Sequence, residues 1–391
     1  MWDQISIIVY TKINFMQIRP TKACINLSNL ANNYQKIRSY AHQSEVIAVV
    51  KADAYGHGAR RIVEKLNTLD HPPVMYAVAT VEEVIDLRKS FPGIDILLFE
   101  PFHPRYLDQA RNSRVVITVA SLEQLKVLGE LDPGCEIDFH LKIDTGMGRL
   151  GIKHYETEKL INTLREIKRS GIKGIYTHFA AADEDRSEYT RMQTGRFNRV
   201  IEDLRSAGID TGTIHAANSG GIFDHRSTHF NAVRAGISLY GYYRDRERSV
   251  EIGLKPLMSL TSEIGSVAKF RAGENVSYSL RFTTSEDSWI ASVPLGYADG
   301  VRRSLQNRIA VLINEKIYRQ AGTITMDRMM IDLGNDYHPV GTDVTLLTGY
   351  FGSGCDCWNW CEVLDTIPYE ITCGISSRVP RIYTEASDGL C

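Results

Sequence analysis

VIAVVKADAYGHGA, residues 46–59, runs through five apolar residues, meets a lysine, and closes on a tyrosine and two glycines. An unbroken apolar run of this length, bounded by turn residues, reads as a strand buried on both faces, the pattern of a parallel sheet. Lys51 stands at its end. An amine placed there has two readings. It is desolvated, which leaves a neutral nucleophile able to condense with a carbonyl, or its stem lies along apolar surface and carries the charge out to water.

The same unit recurs along the chain. After a first strand around ACINL (23–27) come VIAVV, MYAVA (75–79), DILLF (95–99), VVITV (115–119), EIDFHLKI (136–143), GIYTHF (174–179), TIHAA (213–217) and AVRAGISLY (232–240). Helical patterns separate them. LEQLKVLGEL (122–131) is introduced by Ser121 with Gln124 three residues on, a capping box, and YETEKLINTLREIKRSG (155–171) ends at a glycine. Eight strand–helix units predict an α/β fold, a closed TIM-type (β/α)8 barrel over residues 16–250. From residue 251 the rhythm changes. LMSLTSEIGSVAKF (257–270), ENVSYS (274–279), WIASVPLGY (289–297), IAVLI (309–313), KIYRQAGTI (316–324), MMIDLG (329–334) and DVTLLTG (343–349) read as strands joined by short turns, with one late helix near WCEVLDTI (360–367). Residues 251–391 are therefore expected to form a second, smaller, mostly antiparallel β domain.

Composition excludes several classes of function. Charged residues make up 24 % of the 391, the net charge is −2, and no dense Lys/Arg cluster offers a surface to nucleic acid. The longest apolar runs fall short of a membrane span, and MWDQISIIVYTKINF (1–15) lacks the basic start and cleavage site of a signal peptide, so a cytoplasmic protein is expected. Seven cysteines do not make a disulfide framework for a fold of this size. CDCWNWC (355–361) suggests a metal, but no further ligand pair follows at a suitable spacing, and free thiols in a loop or helix start are expected instead.

In such a barrel, chemistry gathers where strands end and helices begin. Lys51, the segment Lys142 to Arg149, His178, Asn218 with Ser219, and Arg234 with Gly236 all fall at those ends. Each alone has an ordinary reading: a solvated arginine, a histidine satisfied by its neighbour, a glycine in a turn. Gly146, Gly148 and Gly151 spell G-x-G-x-x-G after a strand, but bulky Met147 and Arg149 stand where a pyrophosphate would approach the backbone. A dinucleotide site is not expected.

The longer blocks carry a resemblance. VVKADAYGHGA, LKIDTGMGRLG (141–151), THFAAAD (177–183), HAANS (215–219), VRAGISLYG (233–241), ENVSYS, VPLGYADG (293–300), TITMDRMMIDLG (323–334) and ISSRVPR (375–381) follow the order and spacing of alanine racemases. The chain resembles that family from about Met16 to Tyr383. The resemblance implies a racemase that interconverts L- and D-alanine with pyridoxal 5'-phosphate and supplies D-alanine for peptidoglycan. It also implies a homodimer in which the β domain reaches the partner's site.

Carried over residue by residue, the resemblance makes Lys51 the lysine that holds the cofactor and one of two acid/base groups. Tyr278, from the partner chain, is the other. Tyr55, Ser219, Gly236, Ile237 and Tyr369 match contacts to the cofactor phosphate. Arg234 matches the arginine facing the pyridine nitrogen, and His178 a histidine linking it to the catalytic tyrosine. Arg149, Met326, Asp327 and the entrance residue Tyr297 match the substrate side, and Lys142 matches a lysine carbamylated in many members. A guanidinium keeps its proton, so the nitrogen opposite it stays unprotonated, which favours racemisation over transamination.

The chain departs from the family pattern at Ser279, where glycine is usual, and at Phe282, Thr325, Arg328 and Pro368. These departures bear on rate and substrate range more than on reaction type. Two other functions stay open at this level: a racemase acting also on serine or other small amino acids, and a non-catalytic pyridoxal-phosphate barrel. The second lacks a β domain with its tyrosine, so residues 251–391 argue against it. Residues 1–15 have no counterpart in the pattern and read either as a local extension or as the product of an upstream start codon, with Met16 the working start.

Overall fold

The structure, a computed structural model, describes residues 19–168, 172–184 and 187–385. The extension before Met16, and Met16 itself, lie outside the described residues, as does Gly171. The chain divides into two compact units, Asn29–Lys255 and Met1–Ser28 with Pro256–Cys391. Strand β1 (Lys22–Asn26), which the sequence boundaries group with the barrel, falls in the second unit. Its last four residues are buried, so it inserts as an internal strand and not at an exposed edge.

The first unit is the expected barrel. Its strands are β2 (Glu45–Val49), β3 (Met75–Val78), β4 (Ile96–Pro101), β5 (Val116–Val119), β6 (Phe139–Asp144), β7 (Gly174–Tyr176), β8 (Thr213–His215) and β9 (Ala232–Ala235). Every neighbouring pair is parallel, and β9 returns to β2 with Ala235 opposite Ala48, so the sheet closes. Closure follows from burial: β3, β5 and β6 are buried at every residue, which only helices outside and packed side chains inside can provide. Helix starts follow sequence chemistry. Ser121 accepts from the Gln124 amide at 3.0 Å, whereas the Gln124 side chain reaches back to Ala120, one residue beyond the cap.

The second unit is built on one nine-stranded sheet. Beside β1 it holds β10 (Met258–Glu263), β11 (Ser266–Phe270), β12 (Ser288–Val293), β13 (Ala310–Ile313), β14 (Lys316–Ala321), β15 (Met329–Asp332), β16 (Asp343–Leu347) and β17 (Arg381–Thr384). The order is β11-β12-β15-β14-β13-β16-β10-β1-β17, antiparallel throughout except for the β1–β17 pair. ENVSYS is not a strand: Tyr278–Leu280 forms a tight 3-10 turn with Ser277, Ser279 and Leu280 all at positive φ. Cys355, Cys357 and Cys361 are buried free thiols around the start of helix Cys357–Leu364, which Asp356 caps. Among the described residues, no cluster of three or more His, Cys, Asp or Glu is placed to hold a metal, and no helix is long and apolar enough to cross a membrane.

Candidate active site

The chain after β2 turns left-handed. Ala52, Asp53, Ala54 and Tyr55 take φ of 51, 50, 54 and 55°, followed by Gly56 and Gly58 at 83 and 90°. A left-handed helical residue with a β-carbon costs roughly 1–2 kcal/mol, so four in a row persist only where the surroundings dictate them. Here Glu83 accepts from Ala52 at 2.5 Å and from Ala79 at 2.7 Å, and Asp53 accepts from Ala59 at 2.7 Å. Tyr55 packs on Tyr240 with ring centroids 4.8 Å apart, and the Tyr240 hydroxyl donates to Val49 at 2.8 Å. The turn leaves Lys51 half-buried at the end of β2 and brings Tyr55 to Gly236.

At Gly236 a β-carbon would lie 3.1 Å from the Tyr55 hydroxyl and 3.9 Å from Ser219 Oγ. Ser219 Oγ is 3.0 Å from Ser238 Oγ, and Asn218 caps the helix Ser219–Asp224 by accepting from Gly221 at 3.0 Å. Ile237 opens a 3-10 turn, so its N–H has no partner within that turn. The hydroxyls of Tyr55 and Ser219 thus stand close to the backbone of Gly236, after β8 and β9.

Arg234 is buried at the end of β9. Nη1 donates to His215 Nδ1 at 2.9 Å and His215 O at 3.2 Å; Nη2 donates to Thr177 O and Ala216 O at 2.8 Å each and to His178 Nδ1 at 3.2 Å. Nε–H has no partner among the described residues. Burial draws the guanidinium down to about 10, still charged at neutral pH. Because Arg234 only donates, His215 Nδ1 must accept, which puts the His215 proton on Nε2, aimed at His140 Nδ1 at 2.9 Å. Burial, followed by nearby cations, holds His140 at about 3 and His215 and His178 well below the usual imidazole range, so all three are neutral. Tyr176 stacks on His215 at 4.8 Å, and its hydroxyl is 2.9 Å from Thr118 Oγ1.

Lys142 is buried on β6, with Nζ 4.7 Å from the centre of the Tyr176 ring and no hydrogen-bond partner among the described residues. Burial and then the guanidiniums of Arg234 and Arg149 push its ammonium well below the usual lysine range. The same burial weakens the charge that Lys142 brings to the face of Tyr176. Arg149 is exposed on the loop after β6. Gly146, Gly148 and Gly151 shape that loop around Asp144, which accepts from the amides of Gly146 and Gly148 at 2.9 and 3.1 Å, while Lys153 pairs with it at 2.6 Å. A β-carbon at Gly151 would lie 2.6 Å from the Asp144 nitrogen. The glycines serve this turn, which is why they mimic a nucleotide motif. Lys51, Lys142, Arg149 and Arg234 all bear on the charge of His178, so the barrel residues predicted from sequence converge there.

In the β unit, Thr323 links Tyr278 to its surroundings: its hydroxyl donates to Tyr278 O at 2.7 Å, and its carbonyl accepts from Ser277 Oγ at 2.7 Å. The same segment, two residues on, receives the Tyr297 amide at Thr325 O and the Ala298 amide at Met326 O, both at 3.0 Å. Tyr278, Tyr297, Met326 and Asp327 therefore lie on adjoining loops. Tyr278 is 72 % exposed. Tyr369 is half-buried on the helix Pro368–Gly374.

Sequence reading missed His140, His215, Tyr176 and Glu83. Alternation offered a signal for His140, two residues before Lys142 on β6 and hence on the same face. Nothing local marks Glu83, whose bonds cross from one strand–helix turn to another.

The chain is similar to alanine racemases in sequence and fold. The alanine racemase N-terminal domain family matches residues 25–244 and the C-terminal domain family residues 257–383. The chain is 38 % identical over 378 residues to the alanine racemase of Clostridium novyi, covering 94 % of this chain and 96 % of that one. It is 39 % identical over 390 residues to that of Geobacter sulfurreducens, covering 95 % and 99 %. Alanine racemase of Clostridium difficile 630 superimposes with a TM-score of 0.86 at 34 % identity, covering 93 % of this chain and 96 % of that one. The Bacillus anthracis alanine racemase with bound L-Ala-P gives 0.86 at 33 %, covering 94 % and 95 %. With both domains matched and near-complete coverage at more than 30 % identity, the chain belongs to the alanine racemase family.

Proposed function

We propose that the protein interconverts L- and D-alanine using pyridoxal 5'-phosphate, as a homodimer with shared sites. The observation that carries this is the arrangement on one barrel rim of a half-buried lysine, two hydroxyls beside Gly236 and a fixed cation. The backbone at Gly236 suits a phosphate ester: Tyr55 and Ser219 offer hydroxyls, and Ile237 an amide with no partner within its turn, after the strands where barrels bind phosphate. Arg234 suits a ring nitrogen as acceptor, since its terminal nitrogens are spent on protein and its Nε–H donates to none of the described residues.

Bound there, the cofactor would supply an electron-withdrawing system that acidifies the substrate Cα–H. Lys51 holds it by its amine, and Arg234 keeps the ring nitrogen from gaining a proton. Racemisation requires a proton taken from one face of Cα and returned on the other. Lys51 Nζ serves one face. Tyr278 Oη of a second copy serves the other, and its exposure on its own unit leaves it accessible for that role. Arg149 orients the substrate carboxylate, and burial biases Lys142 toward the neutral amine that carbamylation needs. Met326, Asp327 and Tyr297 limit the space beside the substrate.

Incubation with pyridoxal phosphate and L-alanine should yield D-alanine by chiral chromatography, and borohydride reduction should leave a pyridoxyl group on Lys51 by peptide mass mapping. Absence of D-alanine, or a label on another lysine, would refute the proposal.

A further inference from the structure

The β unit contains a buried carboxylate that this reading does not use. Asp299, two residues after Tyr297, is fully buried. Its two oxygens accept from Arg19 Nη1 and Nη2 at 2.6 and 2.7 Å, and Oδ2 accepts from the Gly296 amide at 2.9 Å. Arg378 Nε stands 3.5 Å from Oδ1, and Arg378 Nη2 donates to Asp327 Oδ1 at 2.8 Å. One guanidinium therefore spans two carboxylates, one beside Tyr297 in sequence and the other next to Met326. Burial alone would raise the Asp299 carboxyl; Arg19, the Gly296 amide and Arg378 outweigh it and hold it below the usual range.

The surrounding backbone is fastened to the same point. A β-carbon on Gly296 would lie 2.2 Å from Thr325 O, so the two loops touch with no side chain between them. Ser376 donates its amide to Asp299 O at 3.1 Å and its hydroxyl to Ala298 O at 2.8 Å, and Arg19 also donates to Pro294 O at 2.8 Å. Backbone bonds set how the loops pair. They leave the Asp327 side chain, more than half exposed, to be aimed by Arg378 alone among the described residues. Charge taken out of water costs several kcal/mol, and its best-attested use is to fix registry.

We infer that Asp299 is a positioning residue for the substrate side of the racemase site, acting through Arg378 on Asp327 and through the loop contacts on Tyr297 and Met326. The inference rests on the proposed substrate-side role of Tyr297, Met326 and Asp327.

Asp299→Asn keeps the volume and the acceptor for Gly296 but presents an amide N–H to Arg19. Loss of a substrate-positioning contact should raise KM for L-alanine by about tenfold, with kcat per cofactor-loaded site changed less than about threefold. A merely structural role would lower the loaded fraction and leave KM alone. Arg378→Gln, at a half-exposed position, should raise KM in the same way, and it decides the matter if Asp299→Asn does not fold. In the Asp327→Asn background, the Arg378→Gln effect should largely vanish. Unchanged KM in Arg378→Gln and, where it folds, in Asp299→Asn, or full additivity with Asp327→Asn, would overturn the inference. If Asp327→Asn and Tyr297→Phe themselves leave KM unchanged, the substrate-side assignment fails instead. If they raise it while Asp299→Asn and Arg378→Gln do not, only the role of Asp299 fails.

Discussion

His140 Nδ1 lies 2.9 Å from Nε2 of His215, and that contact has one direction, from His215 to His140. Arg234 imposes it, because a guanidinium leaves His215 Nδ1 no choice but to accept. The His140 proton is then on its own Nε2, where it finds no acceptor among the described residues. One neutral histidine, His215, thus accepts from a fixed cation in the barrel interior and passes its own N–H to a second, His140.

This chain gives a pH dependence with a definite sign. Folded His140 sits at about 3 and His215 is also depressed, against roughly 6.5 in the unfolded chain. A base with a lowered folded pKa contributes stability that is complete above its unfolded value and lost as pH falls. Stability should therefore decline below about pH 6.5, His140 alone adding up to about 1.4 kcal/mol per pH unit. Urea unfolding between pH 8 and 5 measures this. Gly174→Ala places a β-carbon 2.5 Å from His140 Nε2, so the ring must move; it should cost roughly 1–3 kcal/mol at pH 8 and flatten the slope. A wild-type slope of zero would contradict the neutral pair.

Ser279 stands at φ 61° in the turn that carries Tyr278. A serine there carries the left-handed penalty that glycine escapes, partly offset by the extra freedom glycine gives the unfolded chain. Ser279→Gly should raise stability by up to about 1 kcal/mol, seen as a higher melting temperature, without lowering the racemase rate. A destabilised variant would show that the serine side chain is needed in that turn.

Shared sites can be tested by complementation. If Lys51 of one chain works with Tyr278 of the other, a heterodimer of Lys51→Ala with Tyr278→Phe has one site lacking both groups and one intact. Each homodimer should be nearly inactive, and the purified heterodimer should recover roughly half of wild-type activity. No recovery in a heterodimer of verified composition would place both groups within one chain or remove Tyr278 from the reaction.

Sequence alone determined the architecture, because burial on both faces is written into each strand. VIAVV, MYAVA and VVITV are apolar but for the hydroxyls of Tyr76 and Thr118, so they had to pair in parallel inside a shell of helices. It also carried the family blocks, on which the proposed roles of Lys51, Tyr55, Arg234 and Tyr278 rest. ENVSYS misled: β-branched and aromatic residues favour a strand, but positive φ angles at Ser277, Ser279 and the following Leu280 bend the chain into a turn held by Thr323, 45 residues from Tyr278. Tertiary structure alone decided what the polar residues do to one another. The tautomers of His140 and His215 follow from Arg234 on a neighbouring strand, the left-handed turn after Lys51 from Glu83, and the link between Asp299 and Asp327 from Arg378. Hydrophobic burial is a property that each segment carries in its own composition, whereas a hydrogen bond belongs to two groups, and here the second group comes from elsewhere in the chain.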